Sequence, residues 1–153
     1  MNMKTLTILS FFLLPFFCFS QNNNPNYDEE LAKELNADDY GMKSYVFVVL
    51  KTGSAKIEDK AVRDSCFAGH FSNMQKLAEE KKLVVAGPLG KNDNNYRGLF
   101  IFDVESKEEA QELMKDDPTI SMGIFEVEMY DWYGSAALIT HQEAADKIWK
   151  LKP

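Results

Sequence analysis

Cysteine and histidine are scarce in this chain: two of each in 153 residues, Cys18 and Cys66, His70 and His141. Two separated histidines and one or two cysteines match no metal-ligand spacing, so no metal site is expected. A Gly-rich phosphate loop, a Gly-x-Ser-x-Gly elbow and a dinucleotide fingerprint are all absent, and no cofactor is expected either. Basic runs are missing too. Lys and Arg number 17 against 24 Asp and Glu, a net charge of −7, with no cationic patch to meet a phosphate backbone, so no nucleic-acid partner is expected. The acidic balance suits a soluble protein that keeps off anionic lipid. No apolar run reaches the ~20 residues that a bilayer-spanning helix needs.

The nearest approach to such a run is at the start. Met1-Asn2-Met3-Lys4 is short and basic, and Leu6 to Phe19 is apolar apart from Thr7, Ser10 and Pro15. Cys18 and Ser20 put small residues at the −3 and −1 positions of a cut before Gln21. Residues 1–20 therefore read as a secretory signal peptide, and the protein is expected to be exported, periplasmic or secreted, with no stable membrane insertion after cleavage. Acylation of Cys18 as a lipoprotein is the weaker alternative, because Phe16 and Phe17 are bulky where a lipobox needs small residues. After cleavage only Cys66 remains, which excludes an internal disulfide. The mature chain of about 130 residues is long enough for one domain with a sizeable core.

Residues 21–41 read as a lead-in: an Asn-rich leader, then a short helix from Asp28 to Leu35 with acids in its first turn. Tyr45 to Leu50 is apolar on both alternating faces, which predicts a central strand covered twice. Residues 59–81 form a long helix, with Val62, Cys66, His70, Met74, Leu77 and Ala78 at inward spacing and Phe67 and Phe71 widening the stripe. Leu83 to Ala86 is a short strand stopped by Gly87-Pro88. A polar hairpin loop (residues 91–95) leads into a further strand, Gly98 to Val104. Ser106 and Glu109 make a capping box for a helix that ends before Pro118, since a proline disfavours the α-region for the residue ahead of it. Ile124 to Trp132 is the last strand, with Glu126 and Glu128 read as solvated or tail-docking charges. Residues 133–153 form a helical extension opened by a second capping box, Thr140 and Glu143.

The order βαββαβ over residues 42–132 predicts an α+β, ferredoxin-like domain with one antiparallel sheet and its helices on one face. The other face is apolar in at least two strands and needs a cover. A second copy of the sheet supplies one, giving a homodimer of the dimeric α/β-barrel type, with the tail clasping its edge. The alternative is the C-terminal tail covering that face within one chain.

His70-x3-Met74-x2-Leu77, Leu83-x2-Ala86-Gly87-Pro88, Gly98-Leu99-Phe100-Ile101-Phe102, Ser106-x2-Glu109-Ala110, Asp117-Pro118 and Gly123-Ile124-Phe125-Glu126 follow one another in an order and spacing that resembles the YciI-like (YCII-related) family. The resemblance covers residues 43–132. It implies a ferredoxin-like dimer with a histidine on the first core helix and an aspartate before a proline after the second, proposed as a catalytic pair. His70 and Asp117 hold those positions here. One branch of the family dehydrochlorinates a hydroxylated aromatic. The leader, the lead-in and the tail depart from the family pattern, as does Asp131-Trp132 at the end of the last strand, where relatives often carry Pro before an aromatic.

On chemical grounds His70 interrupts an apolar stripe, and its ordinary pKa near ~6.5 suits it to move a proton at neutral pH. An acid bonded to one ring nitrogen would set the tautomer and free the other nitrogen to act as base. Asp117, held at a helix exit by the Asp-Pro turn, is the candidate. Cys66 shares the helix face of His70 at i,i+4 and reads as a small core residue; His141 reads as a solvated surface residue. Three functions stay open. The first is a small cofactor-free enzyme in which the His70–Asp117 pair moves a proton on a small, cyclic substrate. The second is a non-catalytic module that binds a small ligand or partner through other residues, the pair being structural. A cofactor-independent oxygenase or haem-handling protein is a third, by fold analogy alone.

Overall fold

The computed structural model describes residues 24–150. The signal peptide, the small residues before its cut and the acylation alternative at Cys18 lie outside them. Among the described residues no helix is long and apolar enough to cross a membrane. The lead-in contains α1 (Glu29–Glu34), capped by Asp28 Oδ1, which accepts from the Leu31 amide at 3.0 Å. The core runs β1 (Met42–Thr52), α2 (Lys60–Glu79), β2 (Leu83–Pro88), β3 (Tyr96–Phe102), α3 (Lys107–Met114), a short α4 (Pro118–Ser121) and β4 (Phe125–Ser135). A 3-10 turn (Ala136–Thr140) and α5 (His141–Ile148) follow.

All strand pairs are antiparallel and the order is β2-β3-β1-β4, the ferredoxin-like arrangement that the element sequence predicts. β1 sits between β3 and β4, which explains why Tyr45 to Leu50 is apolar on both faces. Val46, Val48 and Leu50 point to the helix side and join Phe100, Phe102, Leu77, Ala110 and Met114 in the core. Val48 and Phe102 are completely buried. Each such side chain contributes about 1.5–3 kcal/mol through removal of apolar area from water.

Several elements depart from the sequence reading. β2 does not stop at Gly87-Pro88 but runs through both residues. It is an edge strand, where a proline without an N–H leaves no ladder bond unmade. β4 continues past Trp132 to Ser135, because β1 begins at Met42 and offers pairing as far as Met42↔Ser135. In α2, Cys66, His70 and Leu77 are buried as expected, but Val62 and Phe71 are exposed. The second capping box does not form: Thr140 already has helical backbone angles as the last residue of the 3-10 turn, and its hydroxyl donates to the Ala137 carbonyl at 2.7 Å. Glu128 is held by Lys51 across the β1–β4 pair at 2.7 Å and not by the tail.

The tail partly fills the role of the single-chain cover. Tyr45, on the face away from α2, is buried, and its hydroxyl donates to the Ser135 carbonyl at 2.9 Å. Burial pushes its phenol pKa up to about 12, with the charge of Asp103 adding to the effect. Ala136 N–H bonds the Gly41 carbonyl at 2.9 Å, and Gln142 Nε2 reaches the Leu83 carbonyl on the opposite edge strand at 2.9 Å. The tail thus crosses the sheet at the Tyr45 end and leaves Phe47, Leu99 and Ile101 only half-buried.

Candidate active site

Two local devices place His70 and Asp117. α2 is long enough, once capped by Asp59, to carry His70 in its middle over the sheet. α3 ends at Met114 with Lys115 as its C-cap, and the chain restarts at once as α4 with Pro118 in its first turn and Asp117 as N-cap. A proline suits the first helical position because its missing N–H would be unsatisfied there anyway. The Asp-Pro turn is thus an entrance to α4 as well as the exit from α3. Close approach of α4 to α2 depends on Gly69. A Cβ on that residue would lie 2.6 Å from Pro118 Cγ, so any side chain there would push α4 away.

The result is a direct contact between residues 47 apart in the chain. His70 Nδ1 donates to Asp117 Oδ2 at 2.6 Å, with His70 6% and Asp117 1% exposed. The other carboxylate oxygen, Oδ1, accepts from the Thr119 amide at 2.9 Å and from the Thr119 hydroxyl at 2.6 Å. Thr119 Oγ1 also lies 3.2 Å from His70 Nδ1. Burial works to raise the Asp117 pKa, but the bonds from His70 and Thr119 outweigh it and hold the carboxyl below the ordinary range. An ionised Asp117 fixes the proton on Nδ1 and leaves the lone pair on Nε2. Nε2 has no bonded neighbour among the described residues, yet no buried side-chain nitrogen or oxygen there lacks a partner, so Nε2 is open to solvent.

It opens onto a pocket of about 240 Å³ lined by His70, Arg97 and apolar side chains. The imidazole sits within an aromatic ring set: Phe71 at 5.5 Å, Phe125 at 5.7 Å, Phe100 at 5.9 Å and Phe67 at 6.4 Å between centroids. Phe71, exposed on α2, stands at the rim. Cys66 is buried and free but does not line the pocket. His141 is exposed, with Nδ1 2.8 Å from the Leu138 carbonyl. No group of three His, Cys, Asp or Glu side chains among the described residues is placed to hold a metal ion.

Sequence reasoning missed Thr119, Gly69 and Arg97. The first had a usable signal, since Asp-Pro-Thr is a helix N-terminus in which the N-cap acid accepts from the residue two places on. Gly69 and Arg97 had none, because their roles depend on what other elements bring near them.

The YCII-related domain model matches residues 45–133, from near the start of β1 nearly to the end of β4. YjpA of Bacillus subtilis (strain 168) is 27% identical over 88 residues, which is 58% of this chain and 94% of that protein. Among solved structures, 5-chloro-2-hydroxyhydroquinone dehydrochlorinase (TftG) from Burkholderia phenoliruptrix AC1100, in complex with 2,5-dihydroxybenzoquinone, is 23% identical. It aligns over 57% of this chain and 92% of its own, with a TM-score of 0.41.

Proposed function

Because the chain belongs to the YCII-related domain family, we propose that it is a small enzyme using His70 as general base on a small cyclic substrate, with Asp117 as orienting acid. The observation that carries this reading is the 2.6 Å contact from Nδ1 to Oδ2 at the floor of an apolar pocket, with Nε2 left open. In the reaction Nε2 takes a proton from a substrate carbon or hydroxyl, and the new imidazolium lies against the ionised Asp117. The proton is later returned to product or solvent. Elimination, isomerisation and ring hydrolysis all contain such a step, and a positioned base contributes about 10²–10⁴-fold. Phe71, Phe100 and Phe125 shield the site, which strengthens the His–Asp attraction relative to water.

The proposal includes a setting. Residues 1–20 direct export and are removed, and the sheet face left half-covered by the tail pairs with a second copy. The test of the reaction is a turnover screen of the purified mature protein against hydroxylated and halogenated single-ring compounds, with His70→Gln alongside. Turnover by the wild type that falls at least about 100-fold in a folded His70→Gln is expected. Equal turnover by both proteins, or none by the wild type, would sink the reading and leave the pair a structural weld between α2 and α4.

A further inference from the structure

Arg97 is the one permanently charged side chain lining the His70 pocket. Its position is set by a fault in the strand pairing. β1 and β3 pair as Leu50↔Gly98 and then as Lys51↔Tyr96, so Arg97 is the extra residue of a β-bulge. Regular alternation would have sent it, like Leu99, to the face away from α2. The bulge turns it to the face of Leu50 and Thr52 instead, where its Nε donates to Thr52 Oγ1. Bulges commonly re-aim a side chain beside a site in this way. The terminal guanidinium nitrogens bond nothing among the described residues, and no carboxylate there lies within 4.0 Å of them. A guanidinium held by its Nε at the mouth of an apolar, aromatic pocket, with both terminal nitrogens free among the described residues, is placed to take an anion in its planar fork.

We propose that Arg97 is the specificity residue of this pocket, selecting single-ring substrates that carry an anionic oxygen group. This rests on the reading of the pocket as a substrate site but not on any reaction occurring there. A cavity of about 150 Å³ is enough for benzene, so about 240 Å³ takes one substituted ring and no nucleotide. The ring lies among Phe67, Phe71 and Phe100, its anionic oxygens reach out to the guanidinium, and its opposite side meets Nε2. Arg97 is a binding residue in this scheme; proton transfer stays with His70.

The test is equilibrium binding, read by ligand-observed NMR titration of benzoate and its neutral near-isostere benzamide. The wild type should bind benzoate about tenfold or more tightly than benzamide, a preference that weakens with added salt because Arg97 is exposed. Arg97→Gln should bring benzoate down to the affinity of benzamide and leave benzamide unchanged. Arg97→Lys, which keeps the charge but loses the planar fork, should fall between them. A preference that survives Arg97→Gln, no preference in the wild type, or failure of both probes to bind overturns the assignment. A protein that prefers benzoate yet turns nothing over keeps Arg97 and loses the enzyme; turnover without the charge preference does the reverse.

Discussion

The location of one proton decides what His70 can do, and Asp117 decides that location. With Oδ2 on His70 Nδ1 and both Thr119 donors on Oδ1, each carboxylate oxygen is engaged. Asp117→Ala leaves three buried donors without an acceptor, and each buried group left unsatisfied costs about 1–3 kcal/mol. The sign of the pH dependence follows from the carboxyl being held below its ordinary value of 3.8. The unfolded chain then takes up that proton at higher pH than the native one. The stabilisation is complete above the unfolded pKa and is lost as the pH falls through the native one. Urea midpoints of wild type and Asp117→Ala should differ most near neutrality, the gap narrowing as the pH falls below about 5. A gap that stays constant would show that folding does not lower the Asp117 pKa. His70 stood out in the sequence as a histidine interrupting an apolar stripe, whereas Asp-Pro is a common turn and Asp117 was singled out by the family resemblance. Thr119 left only the N-cap pattern of Asp-Pro-Thr, which marks a helix start without showing that its hydroxyl also serves the carboxylate that meets His70.

At the scale of elements, the site is a junction between α2 and α4 more than a property of either. α4 is only four residues long and cannot hold itself together, so its position depends on packing against α2. Gly69 sets the depth of that packing. In an isolated helix Gly69→Ala would stabilise by up to about 1 kcal/mol through propensity. Here the added methyl meets the rigid Pro118 ring, and overpacking costs about 1–3 kcal/mol. The variant should therefore lose about 1–2 kcal/mol in urea denaturation and show an altered His70 ring signal by NMR. A gain in stability would mean that α4 yields freely. The same dependence on neighbours explains the boundary errors. Gly87-Pro88 reads as a stop from local propensity, but an edge strand tolerates both; β4 ends where β1 lets it end.

For the molecule as a whole, the open question is the sheet face opposite α2. Tyr45 is sealed there by Ser135 and Ala136, but Phe47, Leu99 and Ile101 form an apolar strip beside Tyr130 at 49% and Trp132 at 38% exposure. Pairing of this strip with a second copy would bury it by an isologous two-fold contact. Light scattering of the mature protein should give the mass of a dimer, and Ile101→Asp should give a folded monomer, because a charge placed at the centre of the strip would stand desolvated and unpaired. A monomeric wild type would leave the tail as the sole cover of that face.

Periodicity, capping and turn chemistry determined the order of elements, the central position of β1 and the place of His70 on the inward face of its helix. These are carried by near neighbours in the chain, and side-chain alternation or helical spacing suffices to read them. The contact of Nδ1 with Oδ2, the space released by Gly69, the turn of Arg97 through a bulge and the path of the tail past Tyr45 were decided only in three dimensions. Each depends on the distance between segments far apart in sequence, and that distance is set by the packing of the whole core rather than by local preference.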